Sequence, residues 1–99
     1  MARARSTRAD GGPFSETTIE AVWQKGTADP RPSFRKDRCG ASMQRPKYGK
    51  MEQFGWEVDH IKPLSKGGTD ELSNLQPLQW ENNRHKADDW PNFECKVRS

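Results

Sequence analysis

Between Trp56 and Lys86, four polar residues (Asp59, His60, Asn74 and Asn83) stand where apolar side chains would pack more cheaply, and this narrows what the chain can be more than any other feature. Trp56 and Val58 alternate with polar neighbours, and Ile61 follows after the break at His60, which predicts a short strand over 56–61 ended by Pro63. The loop 64–73 contains the pair Gly67-Gly68, which allows a tight reversal. Asn74 to Leu78 reads as a second short strand, and Trp80 to about Asp89 as a helix stopped by Pro91. The unit is therefore strand, Gly-containing loop, strand, helix.

With 99 residues there is room for one domain, and with 30% hydrophobic residues its core must be small. The four tryptophans and four phenylalanines supply much of what can be buried. No apolar run approaches the roughly 20 residues of a membrane span. The basic start of the chain is followed by no apolar stretch, so no secretory signal and a cytoplasmic location are expected. Cys39 and Cys95 lie far apart, and reduced thiols are the expected state, a single disulfide being the lesser reading. Charge is uneven: residues 1–50 hold 11 Lys/Arg against 5 Asp/Glu, and residues 51–99 hold 6 against 9. A basic half beside an acidic, His-containing half suits a protein that grips phosphates with one part and binds a cation with the other, although a solvated basic tail would leave the same pattern.

Residues 1–14 carry Arg3, Arg5 and Arg8, end near Gly11-Gly12-Pro13, show no apolar periodicity and are expected as a disordered basic arm preceding a single domain over 15–99. Ser15, Thr17 or Thr18 is placed to cap a helix over about 17–25, whose face is Ile19, Val22 and Trp23 and whose stop is Gly26. Residues 27–34 are expected as a loop, since Pro30 and Pro32 interrupt regular structure. Phe34 to Lys47 reads as a hairpin turning near Cys39-Gly40-Ala41, with Arg35, Lys36, Arg38, Arg45 and Lys47 along it.

Asp59 beside His60 places a hard oxygen ligand next to imidazole, the side chain that ordinarily titrates nearest neutrality. Hydrolysis of a phosphodiester needs both functions: a cation to neutralise charge, and a base to take a proton from water. Asn83, early in the final helix, offers an amide oxygen to a hard ion such as Mg²⁺, and Lys86 lies one turn later on the same face, within reach of a phosphate. Taken alone, Asn82, Asn83, Arg84 and Lys86 would equally describe a solvated helix face. Asn74, directly after the Gly-rich loop, can bond loop backbone and hold the returning chain against the His60 strand.

Together these residues resemble the HNH endonuclease family. The resemblance rests on Asp59-His60-Ile61, Pro63, Gly67-Gly68, Asn74-Leu75-Gln76-Pro77-Leu78, and Asn83-Arg84 with Lys86, without a gap over residues 56–86. More loosely, Phe34 to Met43 and Tyr48-Gly49 look like the segment that precedes the motif in small stand-alone bacterial and phage members. The resemblance implies an α+β fold with a ββα-metal core at about 56–89, joined here to an N-terminal helix and a basic hairpin. It implies that His60 is the general base, Asn74 steadies the loop and the catalytic His, and Asp59 and Asn83 bind metal. DNA is the implied partner and substrate, cut to leave a 3′-hydroxyl and a 5′-phosphate. Arg35, Lys36, Arg38, Arg45, Arg84 and Lys86 are the candidate DNA contacts, mostly to phosphate.

Two departures from the family pattern matter. Many members carry two Cys-x-x-Cys pairs that bind a structural zinc. Here Cys39 is followed by Ser42, and the second pair would fall at Gln79 and Asn82. No structural zinc is expected, and an apolar or hydrogen-bonded substitute is expected from Trp56, Leu78 and Trp80. Colicin-type members have a further His one turn after the position of Asn83, where this chain has Ala87, which favours Mg²⁺ or Mn²⁺ over softer ions. In a flat strand Asp59 and His60 would face opposite sides, so a bend is expected there. Two competing readings are a nucleic-acid binding module with a decayed site and an exported toxin nuclease. Oligomeric state and membership of a larger DNA-processing complex are not legible.

Overall fold

The computed structural model describes residues 6–99, so Arg3 and Arg5 of the expected arm lie outside the described residues. Helix α1 (Glu16–Trp23) starts at Ser15, whose Oγ accepts from the Thr18 backbone N–H at 3.1 Å, and it buries Ile19, Val22 and Trp23. Phe14 precedes the cap and packs in the same cluster as Ile19, the arrangement of a hydrophobic staple.

Three short strands follow, β1 (Thr27–Ala28), β2 (Phe34–Lys36) and β3 (Ser42–Gln44), in one antiparallel sheet. The β2–β3 hairpin lies where the sequence places it. β1 corrects the expectation of an unbroken loop over 27–34: the prolines fall after it, leaving Thr27 and Ala28 free to pair with Lys36 and Arg35. Strands β4 (Trp56–His60) and β5 (Leu75–Gln79) form a second antiparallel sheet, and α2 (Trp80–Lys86) follows at once. Pro77 is tolerated because a strand with one neighbour has a side that needs no N–H. α2 ends at Lys86, three residues earlier than expected, with Ala87 (φ 47°) as its C-cap. Among the described residues the fold is thus α+β, with two α-helices and two antiparallel sheets. Among the described residues no helix is long and apolar enough to cross a membrane.

The core is Phe14, Ile19, Val22, Trp23, Met43, Trp56, Val58 and Leu75, with Tyr48 packed against it. Trp56 is its hub. Its ring lies 4.9 Å from both Trp23 and Tyr48, and its Nε1–H reaches the Gln44 carbonyl at 3.1 Å. Gly68 is fixed by close approach: a Cβ there would stand 1.8 Å from the Lys62 carbonyl oxygen.

Residues 6–14 depart from the expected disorder. Thr7 and Pro13 form a bridge, and within it the Arg8 N–H reaches the Gly12 carbonyl while the Gly11 N–H reaches that of Arg8, both at 2.8 Å. Ser6 Oγ accepts the Val58 backbone N–H at 2.9 Å and shares a 2.7 Å hydrogen bond with Tyr48. The segment is held by polar backbone contacts, which leave no apolar periodicity in a sequence.

The expectation of free thiols is likewise corrected, because Cys39 and Cys95 are joined in a disulfide with Cα atoms 5.8 Å apart. The bond ties the C-terminal tail to the hairpin turn across a sequence separation of 56. Reducing it should lower stability by about 2–5 kcal/mol. Urea unfolding with and without reductant measures this. Equal midpoints, together with two thiols titrating in the non-reduced protein, would remove the brace.

Candidate active site

β4 is buried along its whole length, and its residues alternate. Trp56 and Val58 enter the core, and the His60 ring lies on their side, 5.9 Å from Phe14. Glu57 and Asp59 face α2. The β4–β5 pairing runs unbroken to His60 opposite Leu75, which corrects the expected bend: Asp59 and His60 address opposite faces of a regular strand.

His60 is 8% exposed. Its Nε2 lies 2.8 Å from Asp70 Oδ1. Among the described residues its Nδ1 takes no hydrogen bond. Asn74 binds the loop that carries Asp70. Its Oδ1 accepts the Lys62 N–H at 2.9 Å, and its Nδ2 donates to the carbonyls of Lys62 (3.1 Å) and Thr69 (2.8 Å).

On the other face, Asp59 accepts from Gln76 Nε2 at 2.9 Å and pairs with the Lys86 ammonium at 3.3 Å. Burial raises its carboxyl pKa, opposed by the Lys86 charge and the Gln76 hydrogen bond. Lys86 is 2% exposed and also donates to the His60 carbonyl at 3.1 Å. The expectation that it contacts phosphate is therefore corrected: it is an internal counter-ion, with its charge spent on Asp59. Asn83 is buried and donates through Nδ2 to Glu57 at 2.8 Å, with Arg84 3.5 Å from the same carboxylate.

The remaining basic candidates divide. Arg38 is exposed and lies over the Phe93 ring, and Lys36 is half-buried in β2. Arg35 donates to the Gly26 carbonyl and to Gln24, while Arg45 pairs with Glu20 and Glu16, so both also hold α1 and its exit in place.

The positions that bear zinc-binding cysteines in many relatives are otherwise used. Asp37 Oδ2 accepts from the Gln79 N–H and Asn82 Nδ2, both at 3.0 Å. Asn82 Oδ1 accepts the N–H groups of Lys96 and Val97 at 2.7 Å each. This knot and the disulfide form the cross-brace, in place of the one expected from Trp56, Leu78 and Trp80. Trp56 and Leu78 are buried, while Trp80 is half-buried beside Arg84.

Among the described residues no three His, Cys, Asp or Glu side chains gather as a metal site. The oxygen donors on the α2 side are the carboxylates of Asp59 and Glu57, the latter held by Asn83 and Arg84, and the amide oxygen of Asn83. An all-oxygen set of this kind suits a hard ion that keeps several waters, such as Mg²⁺.

Sequence reasoning missed Asp70, Glu57 and Asp37. Glu57 carried a signal, standing two residues before Asp59 and hence on the same strand face. Asp70 and Asp37 lie in polar turns, where an Asp is ordinary.

Comparison with curated proteins and with solved structures gives no match. The family model described as HNH endonuclease matches residues 38–89, a span that contains Asp59, His60, Asn74 and Asn83 and covers more than half of the chain. On that match, and with a strand, a strand and a helix carrying the matched residues, the chain belongs to the HNH endonuclease family.

Proposed function

We propose that the protein is a metal-dependent DNA endonuclease with His60 as general base. The observation that carries this reading is the state of His60: Nε2 is anchored on Asp70, while Nδ1 takes no hydrogen bond among the described residues. In the reaction, a water oxygen attacks phosphorus and its proton passes to His60 Nδ1. The bond from phosphorus to the 3′ oxygen breaks, and that oxygen takes a proton from solvent. The products are a 3′-hydroxyl and a 5′-phosphate. His60 is the last residue of β4, so a phosphate at the strand's end is the position that would meet both the base and a divalent ion held by Asp59 and Asn83, Mg²⁺ or Mn²⁺ by their chemistry. When bound, that ion neutralises charge on the phosphate and the leaving oxygen. Asn74 fixes the loop beside the base, and of the basic candidates Arg38 and Lys36 make no ion pair among the described residues and are first to meet phosphates, with Arg84, Arg35 and Arg45, each held by a neighbour, behind them. The Cys39–Cys95 bond weighs against a reducing cytoplasm as the working compartment.

A second reading, a nucleic-acid binding module with a decayed site, draws support from Lys86, which already neutralises Asp59. A supercoiled-plasmid assay separates the two. Relaxed or linear product with Mg²⁺ or Mn²⁺ and none with chelator is the expected result. Retarded plasmid that stays supercoiled under every metal condition would favour the binding module.

A further inference from the structure

Asp70 lies at the meeting point of three parts of the chain. Asn74 fixes the carbonyl of its neighbour Thr69. The Ala9 backbone N–H donates to both of its oxygens, at 3.1 and 2.9 Å. Its Oδ1 reaches His60 Nε2 at 2.8 Å. Ala9 is held in turn, because its segment is closed by the Thr7–Pro13 bridge and pinned to β4 through Ser6 Oγ and the Val58 N–H. The N-terminal segment is thus a strap that runs from the middle of β4 to the carboxylate at its end.

We infer that Asp70 is the positioning residue of His60, and that it sets which imidazole nitrogen acts as the base. The inference rests on the nuclease reading above. Neutral imidazole has one N–H donor and one acceptor, and an ionised carboxylate only accepts. Asp70 therefore requires the proton on Nε2, which leaves the lone pair on Nδ1, the ring nitrogen that takes no hydrogen bond among the described residues. A second contribution follows after proton transfer, when the carboxylate stabilises the imidazolium. Asp70 does for His60 what the buried Asp does for the His of a serine-protease triad, where the matching Asn variant costs about 10⁴-fold. Asp70 is 34% exposed, so the expected effect is smaller.

The Ala9 contact makes one substitution diagnostic. In Asp70→Asn the amide oxygen keeps the Ala9 N–H and the amide nitrogen turns to His60 Nε2. The nitrogen is a donor, so Nε2 becomes the acceptor and the proton moves to Nδ1, where it blocks the base. Asp70→Ala instead removes the preference altogether. In the full-length protein, Asp70→Ala should lower kcat at saturating plasmid by roughly 10- to 100-fold, and Asp70→Asn by at least as much, with KM for DNA changed by less than about 2-fold. ¹⁵N NMR of the His60 ring, recorded where it is neutral, should report Nε2–H in the wild type, Nδ1–H in Asp70→Asn and a mixture in Asp70→Ala. Unchanged ring signals in both variants, or a loss confined to KM, would overturn the inference. If the wild type nicks no DNA but the Asn variant inverts the ring signals, the Asp70–His60 pair stands and the nuclease reading falls.

Discussion

Replacing His60 by alanine should cut plasmid nicking by roughly 10²–10⁴-fold, the usual contribution of a positioned general base. Duplex binding should persist, since His60 is 8% exposed and phosphate contacts come from groups elsewhere. The substitution also empties space beside Phe14 and leaves Asp70 without its imidazole, so some stability is lost as well. A melting curve recorded beside the nicking assay keeps the two effects apart, provided activity is read well below the midpoint. His85→Ala is the matched control. His85 is the other histidine of the chain and is exposed on α2, so its loss should leave nicking intact. Nicking retained in His60→Ala and lost in His85→Ala would move the base to α2.

Much of the site was legible because its elements carry local signals. Trp56 and Val58 set a strand period, Pro63 and Gly67-Gly68 punctuate it, and the final helix starts at Trp80 where expected, although it stops at Lys86 before Pro91 is reached. What escaped depends on partners distant in sequence. The hydrogen bond from Ala9 to Asp70 spans 61 residues and the disulfide 56. Lys86 on a polar helix is ordinarily solvated, and only the carboxylate 27 residues earlier gives it a reason to be buried. The N-terminal segment escaped for another reason: it docks through backbone and hydroxyl groups, to which side-chain periodicity is blind. Phe14, placed against Ile19 just before the Ser15 cap, was the one apolar hint that the segment has an anchored end. A truncation of residues 1–12, which the sequence presents as a clean removal of basic charge, would also delete Ser6 and Ala9. It would therefore disturb His60 together with the grip on DNA.

The Asp59–Lys86 pair decides how the proposed metal site has to be tested. Asp59→Ala strands a buried ammonium, and Lys86→Met strands a buried carboxylate. Each should cost roughly 3–5 kcal/mol of stability, the usual penalty for breaking a buried ion pair from one side. Removing both charges together, as in Asp59→Leu with Lys86→Met, should come close to neutral, because two desolvation penalties disappear along with one attraction. A double-mutant cycle in urea measures this directly, and additive losses would mean that the two groups do not act as a pair. The single variants then differ in their response to metal. In Lys86→Met the carboxylate of Asp59 is left for a divalent ion with no ammonium competing, while in Asp59→Ala the ligand itself is gone. Mg²⁺ or Mn²⁺ at about 100 times its dissociation constant should return roughly 2.7 kcal/mol to a protein that binds it only when folded. That recovery is expected for Lys86→Met and not for Asp59→Ala, and the wild type should respond at higher metal concentration than Lys86→Met. Asn83→Ala should weaken the response of Lys86→Met by removing the second oxygen. Equal indifference of Lys86→Met and Asp59→Ala to metal would leave Asp59 as a structural carboxylate and transfer the weight of the argument to the binding-module reading.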